Sequence, residues 1–257
     1  MGTRSQLILA VPPDEVTAAQ TYGLTLAHVA YRVGGGPHLF RSNLPIPVRG
    51  GLMYIDDSGF DGRGVPDTFC QEVVRECSAR GFGGVICAFD RSLPLLSSIV
   101  AQLGPMLARQ NRSFYVSEPY GRHTAVGRVL IPTALSGGSL RQRLSEAAER
   151  YGTGRVALAV ERSAEDFFLP SPTGQGRPLT REELAAKRKE LSPSIFFSDE
   201  LCARYFTYMN RQSGAHFVLF DDAGSIRKKL RLAGALGIDR ALLFYPEVSD
   251  LLPDILA

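Results

Sequence analysis

Eight short, almost uninterrupted apolar runs recur along this chain of 257 residues. They are SQLILAV (5–11), LTLAHVAYRV (24–33), GGLMYID (50–56), GGVICAF (83–89), RSFYVSE (112–118), GRVLIPTAL (127–135), RVALAVE (155–161) and RALLFYP (240–246). A strand with one wet face alternates polar and apolar residues, whereas one covered on both faces is apolar throughout. These runs therefore predict parallel strands under a layer of helices. The intervening stretches carry readable helix starts. Val65-Pro66-Asp67 opens one and Gly81 stops it, Ser139 with Gln142 and Thr180 with Glu183 are capping-box pairs, and Ser225 opens IRKKLRLAGALG. Strands alternating with helices over about 250 residues predict a closed (β/α)8 barrel. A doubly wound open sheet is the other arrangement that this order allows.

Two connections break the rhythm. GGGPHLFRSNLPIPV, after the second run, is too rich in Gly and Pro for a helix. Residues 164–222, between the seventh and eighth strands, hold PSPTGQGRP, a helix, and the stretches ARYFTYMN and AHFVLF, which predict a hairpin around RQSG. The expectation is a single domain over 1–257, with an inserted subdomain at about 164–222 over the barrel mouth.

Composition narrows the partners. Lys and Arg number 29 against 26 Asp and Glu, a net charge of +3. The basic residues are interleaved with acids, as in LTREELAAKRKEL, which reads as a solvated helix face. Without a dense basic stripe or stacking aromatics, no nucleic-acid partner is expected. The first apolar run has about five residues, short of a secretory core of about 7–15 or a membrane helix of about 20. No membrane partner is expected, and the expected location is cytoplasmic. None of Cys70, Cys77, Cys87 and Cys202 forms a C-x-x-C pair, and Cys70 and Cys77 lie two helical turns apart, too far for a disulfide. All four read as small core residues in a reducing compartment. No metal is expected. His123 has no second ligand at metal spacing, and DDSGFDGRG (56–64) has Gly59 where a calcium loop needs its second acid. The glycines at 34–36 and 152–154 lack the strand-Gly-helix setting of a phosphate cradle, so no cofactor is expected.

Three phrases carry a family likeness: LAHVAYRV, GFGGVICAFD and, most strongly, RYFTYMNRQSGAHFVLFDDAGSIRKKLRLAGALGIDRALLFYPEV. In order and content they resemble glycoside hydrolase family 18, the chitinase-like barrels, and within it the spore-cortex germination hydrolases. The last phrase matches that branch in its aromatic YFTY strand, its apolar strand and its D-x-x-S-I helix start. The resemblance implies a TIM barrel and a carbohydrate ligand. It also implies the fourth-strand motif D-G-φ-D-φ-D-x-E, whose alternate acids form one inward column. The final Glu protonates the glycosidic oxygen, and the Asp two before it holds the substrate acetamide, which acts as the internal nucleophile. Here the matching positions run from Gly83 through Ile86 and Ala88 to Asp90, so one acid of the column remains. RVLIPTAL offers no acid for the family's sixth-strand Tyr-Asp pair. The chain has no Trp, which leaves Phe244 or Tyr245 to floor the site. These departures imply a barrel that binds a glycan or a partner without chitinase activity. The alternative is a divergent glycosidase acting on a cell-wall or other polysaccharide, with Asp90 as general acid.

In a barrel the loops after the strands meet at one face. By analogy with other barrel glycosidases, Asp90 and Glu161, after the fourth and seventh strands, are the candidate catalytic pair. Carboxyls about 5–5.5 Å apart would mean retention, and about 6.5–9.5 Å inversion. Asp57, Glu118, Tyr120, Tyr245 and Glu247 are the candidate ligand-binding residues. Each has a plainer role open to it. Asp90 can pair with Arg91 or with backbone N–H groups, which would lower its pKa, and Glu161 can pair with Arg162. Asp221 and Asp222 read as a cap on the last helix. A catalytic Asp90 instead needs apolar or acidic neighbours that raise its pKa.

Overall fold

In the computed structural model, which describes residues 6–42, 49–171, 174–210 and 214–257, each of the eight apolar runs forms a strand. The barrel strands are β1 (Gln6–Val11), β2 (Thr25–Gly34), β4 (Leu52–Asp56), β5 (Gly84–Ala88), β6 (Ser113–Ser117), β7 (Arg128–Pro132), β8 (Val156–Val160) and β14 (Arg240–Phe244). The short β3 (His38–Arg41) folds back antiparallel on β2. The barrel strands are all parallel, in the order β1-β14-β8-β7-β6-β5-β4-β2, and β1 pairs with β2 to close the ring. Closure excludes the open sheet.

Strand parity sorts the side chains into two buried sets. Ile8, Ala27, Leu52, Ile86, Tyr115, Leu130, Ala157 and Leu242 fill the barrel interior. Their neighbours, among them Leu9, Val85, Cys87, Val129, Leu158 and Leu243, pack outward against the helices. Each large aliphatic side chain removed from water contributes about 1.5–3 kcal/mol. Burial on both faces is thus the physical reason for the unbroken apolar runs. All four cysteines are free and buried.

The outer layer is uneven. It comprises α1 (Val16–Gln20), α2 (Pro66–Arg80), α3 (Pro94–Ala108), α4 (Leu140–Tyr151), α6 (Ala223–Ala235), α7 (Tyr245–Val248) and α8 (Leu252–Leu256). Helix α2 begins with Pro66 in its first turn and stops at Gly81, whose φ of 69° suits glycine. Helix α6 starts at the expected Asp221-Asp222 cap and not at Ser225. Asp222 is its cap and accepts from the Ser225 backbone N–H at 2.8 Å, while the Ser225 hydroxyl takes the Asp222 N–H at 2.9 Å. Ser225 is therefore the reciprocating third residue and not the opener. No α-helix links β6 to β7; residues 118–127 make that connection as a single 3-10 turn, Glu118–Tyr120, and a loop. Among the described residues, no helix is long and apolar enough to cross a membrane.

Between β8 and β14 the chain forms a second, antiparallel sheet. Its strands are β9 (Ala164–Leu169), β10 (Arg177–Pro178), β11 (Phe196–Ser198), β12 (Ala203–Asn210) and β13 (Gly214–Phe220), in the order β10-β9-β13-β12-β11. Strands β12 and β13 pair with Tyr208 opposite His216, and residues 211–213 of their expected turn lie outside the described residues. Helix α5 (Arg181–Leu191), capped by Thr180 and Glu183, places Leu184 and Leu191 on a face made by Phe206, Val218 and Phe220. Asp166 anchors that face, accepting from Tyr208 at 2.7 Å and lying within 3.1 Å of Lys187 and 2.9 Å of His216. Burial alone would raise its pKa, but the bonds from Tyr208, His216 and Lys187 outweigh burial and lower it.

Candidate functional site

Four barrel strands, β4, β5, β6 and β8, run into acids where the chain leaves the barrel: Asp56 and Asp57, Asp90, Glu118 and Glu161. Ile86 and Ala88 of β5 belong to the barrel interior, so Asp90, two further on, stands over the mouth. Tyr54 of β4 and Phe244 of β14 line the same upper layer of the interior, beside Ala88 and Ala159.

Asp90 is exposed, and its carboxyl makes no hydrogen bond or ion pair among the described residues. Its pKa is raised, first because neighbouring protein atoms strip part of its water and then by the negative charges of Asp57 and Asp56. The plainer pairing with Arg91 does not form, because Arg91 goes to Asp57. Asp57 is 4% exposed. It accepts from the backbone N–H of Asp90 at 3.1 Å, and from the backbone N–H and Nε of Arg91, both at 3.2 Å. The Arg91 guanidinium also donates to the Asp57 carbonyl. Asp57 is thus the brace that sets the loop carrying Asp90. Tyr120 serves the same loop from beneath. It is 2% exposed, packs edge-on against Phe89 with centroids 5.7 Å apart, and donates its hydroxyl to the Arg91 carbonyl.

Across the mouth, Glu161 reaches solvent, yet the protein around it strips enough water to raise its pKa. Glu247 adds to the rise, while Lys229, a bond from the Ala134 backbone and Arg143 oppose it. Arg162 does not pair with Glu161. It binds Asp250 at 2.6 Å and the Glu247 carbonyl at 2.9 Å. Glu118 is held by Arg143 at 2.6 Å. Tyr245 is 6% exposed and turns away to Tyr22, 6.3 Å between centroids.

Tyr54 is the residue that sequence reasoning missed. Burial and the charges of Asp90, Asp56 and Glu247 push its hydroxyl up to about 12, so it stays a donor among acids. Its signal was parity, since it shares an inward face with Leu52 on β4. Thr133, just past β7, is fully buried, and its hydroxyl has no partner among the described residues. The second sheet adds an aromatic row in which Phe196, Tyr205 and Phe217 stack at 5.5 and 5.1 Å. Phe206, on the other face, is buried under α5.

The mouth thus offers the unpaired Asp90 carboxyl, the Glu161 carboxyl with no ion pair, a phenol and a phenyl floor, a set suited to proton donation and to polar contacts with hydroxyl-rich ligands. No cluster of three His, Cys, Asp or Glu able to hold a metal occurs among the described residues. A groove of about 1110 Å³ opens elsewhere, beside β1 and α6, and none of the sequence-predicted site residues lines it.

The raised pKa of Asp90 has a consequence for stability. The folded state holds this proton to higher pH than the unfolded chain does. Its contribution is therefore fully present below the unfolded-state pKa and is lost as pH rises through the folded value. Asp90→Asn keeps the neutral form at every pH. Thermal melts from about pH 3 to about pH 8 should show Asp90→Asn raising the midpoint near neutrality and leaving it unchanged at the acid end. A lower midpoint near neutrality would show the charged form to be favoured.

No family model and no curated protein sequence matches the chain. Solved structures do. A glycoside hydrolase family 18 N-acetylglucosaminidase from Paenibacillus barengoltzii superposes with a TM-score of 0.71 at 13% identity, over 98% of this chain and 99% of its own. The spore cortex-lytic enzyme SleL of Bacillus cereus gives 0.69 at 14% identity, over 99% of this chain and 75% of its own. A chitinase from Chromobacterium violaceum gives 0.68 at 14% identity, over 96% and 99%.

Proposed function

We propose, from a barrel whose fold is that of family 18 glycoside hydrolases, that this protein binds a glycan at its mouth and does not hydrolyse it by the acetamide-assisted route. One observation carries the reading. The interior positions below Asp90 are filled by Ile86 and Ala88, which have no carboxylate to orient an acetamide. The ligand lies over Phe244, whose ring gives an apolar face for a sugar. Tyr54, Asp90, Glu161 and Glu247 take its hydroxyls. The row Phe196, Tyr205 and Phe217 on the second sheet offers further ring faces for a longer chain. Asp57, Glu118, Tyr120 and Tyr245 act behind the contact surface, holding the loops. The whole chain works as one domain, with residues 164–222 as a wall beside the mouth. Phenyl and phenol faces are smaller than indole, so affinity falls between micromolar and millimolar, about −8 to −4 kcal/mol.

A second reading has its own support. Asp90 has acidic neighbours and no cation, and its pKa is raised, which are the properties of a general acid. On that reading the nucleophile comes from Glu161. Calorimetric titration with N-acetylglucosamine oligomers tests the site itself. Saturable binding that falls about tenfold in Phe244→Ala supports it. Binding unchanged in both Phe244→Ala and Tyr54→Ala removes the mouth as the glycan site.

A further inference from the structure

The barrel has no α-helix over the gap between β6 and β7, and the loop that replaces it builds a hollow of its own. Residues 121–125 of that loop, the end of α4 (Arg150 and Tyr151) and the turn before β8 (Arg155) border an open hollow of about 380 Å³ on the barrel flank. The volume lies at the small end of the range for ligand sites, about 300–1,000 Å³. Its charged lining is Arg122, His123, Arg150 and Arg155, and no carboxylate lines it.

The positive charge here is not neutralised. Arg155 donates to the carbonyls of Thr124 at 2.6 Å, Gly127 at 2.8 Å and Gly121 at 3.4 Å. These acceptors are neutral, so they fix the guanidinium in place and leave its charge intact. Arg122 and Arg150 are exposed and make no ion pair among the described residues; Arg150 rests over the Tyr151 ring at 5.9 Å. The acid nearest in sequence on the loop, Glu118, is occupied by Arg143, and Glu149, next to Arg150, does not line the cavity. The walls are also preformed. A Cβ at Gly121 would lie 2.8 Å from a Tyr151 ring carbon, so only glycine lets the loop sit this close. The His123 N–H donates to the Tyr120 carbonyl at 2.9 Å, and the Val126 N–H to the Thr124 hydroxyl at 3.3 Å. A fixed loop loses little entropy when a ligand binds.

We propose that this flank pocket binds a phosphate group. Three arginines and a histidine lining one hollow, with no carboxylate among them, suit a compact dianion with oxygens in several directions. Arg122 and Arg150 can each donate two parallel hydrogen bonds to it from a planar fork, Arg155 adds its charge and its remaining Nη1 donor, and a carboxylate offers half the charge and two oxygens in one plane. The site stands apart from the barrel mouth and does not depend on how the mouth is read.

The test is an NMR titration of the full chain at constant ionic strength, following the amides of Gly121, His123 and Thr124. The three ligands are inorganic phosphate, glucose 6-phosphate and acetate. Phosphate should shift these amides saturably and acetate should not. A sugar phosphate that binds about tenfold tighter than inorganic phosphate identifies a phosphorylated sugar as the source, and equal affinity identifies free phosphate. The variant Arg122→Ala/Arg150→Ala removes two exposed side chains, so its melting midpoint without phosphate should be unchanged while its affinity falls at least about tenfold. Arg122→Ala alone should give a smaller loss. Undiminished phosphate binding in the double variant, equal binding of acetate, or no shift of these amides up to about 10 mM phosphate overturns the proposal.

Discussion

Replacing Asp221 with alanine is expected to destabilise the protein by about 3–5 kcal/mol. Asp221 directly follows β13 and is 3% exposed; its partner Lys229 on α6 is 1% exposed and lies 2.7 Å away. The carboxylate also accepts from the Ser225 hydroxyl at 2.6 Å, and from the Ser163 hydroxyl and backbone N–H at 2.9 and 3.2 Å. One side chain thus ties the last strand of the second sheet to the exit of β8 and to the first turn of α6. Without it, the Lys229 ammonium is buried with no counter-charge, and leaving one member of such a pair alone costs far more than the pair contributes. For a chain of this size each kcal/mol moves the midpoint by about 2–4 °C, so the melting temperature should fall by about 6–20 °C. The double variant Asp221→Leu/Lys229→Met should recover part of the loss, because no orphan charge remains. A single-variant loss under about 1 kcal/mol would mean that water reaches the pair.

Asp57→Ala should cost about 2–4 kcal/mol and disorder the loop that carries Asp90. Three N–H donors, from the Asp90 backbone and from the Arg91 backbone and side chain, lose their acceptor at once. Glycan binding should weaken with stability, although Asp57 is too buried to form much of the contact surface. Removing the Asp57 charge also removes one cause of the raised Asp90 pKa, so an NMR titration should find Asp90 more acidic in the variant. An unmoved Asp90 titration together with an unmoved melting midpoint would show that Asp57 does not brace the loop.

The barrel was legible because burial on both faces leaves a mark that parity cannot blur, as in Val85, Ile86 and Cys87 of β5. Strand ends were less so. The run 127–135 yields a strand of only Arg128–Pro132, since Thr133 and Leu135 are shielded within a loop and look like strand by composition. The start of α6 shows the same limit, because Asp222 and Ser225 are both good cap residues and only geometry decides between them. For the site, position along the chain was readable and side-chain direction was not. Asp57 and Arg91 are 34 residues apart, and Glu118 and Arg143 are 25 apart, so neither pairing leaves a local pattern. Tyr245 follows Phe244, and one step along the chain turns it from the mouth toward Tyr22. Tyr54 was within reach of the same parity count that placed Ala88 inside.

The decisive measurement is product analysis of N-acetylglucosamine tetramer and pentamer incubated with the wild-type protein and with Asp90→Asn, at ligand concentrations where calorimetry shows the site filled. Saturable binding with no cleavage product from either protein is the expected result. Sustained release of shorter oligomers by the wild-type protein, abolished in Asp90→Asn, would contradict it and make Asp90 the catalytic acid of a working hydrolase.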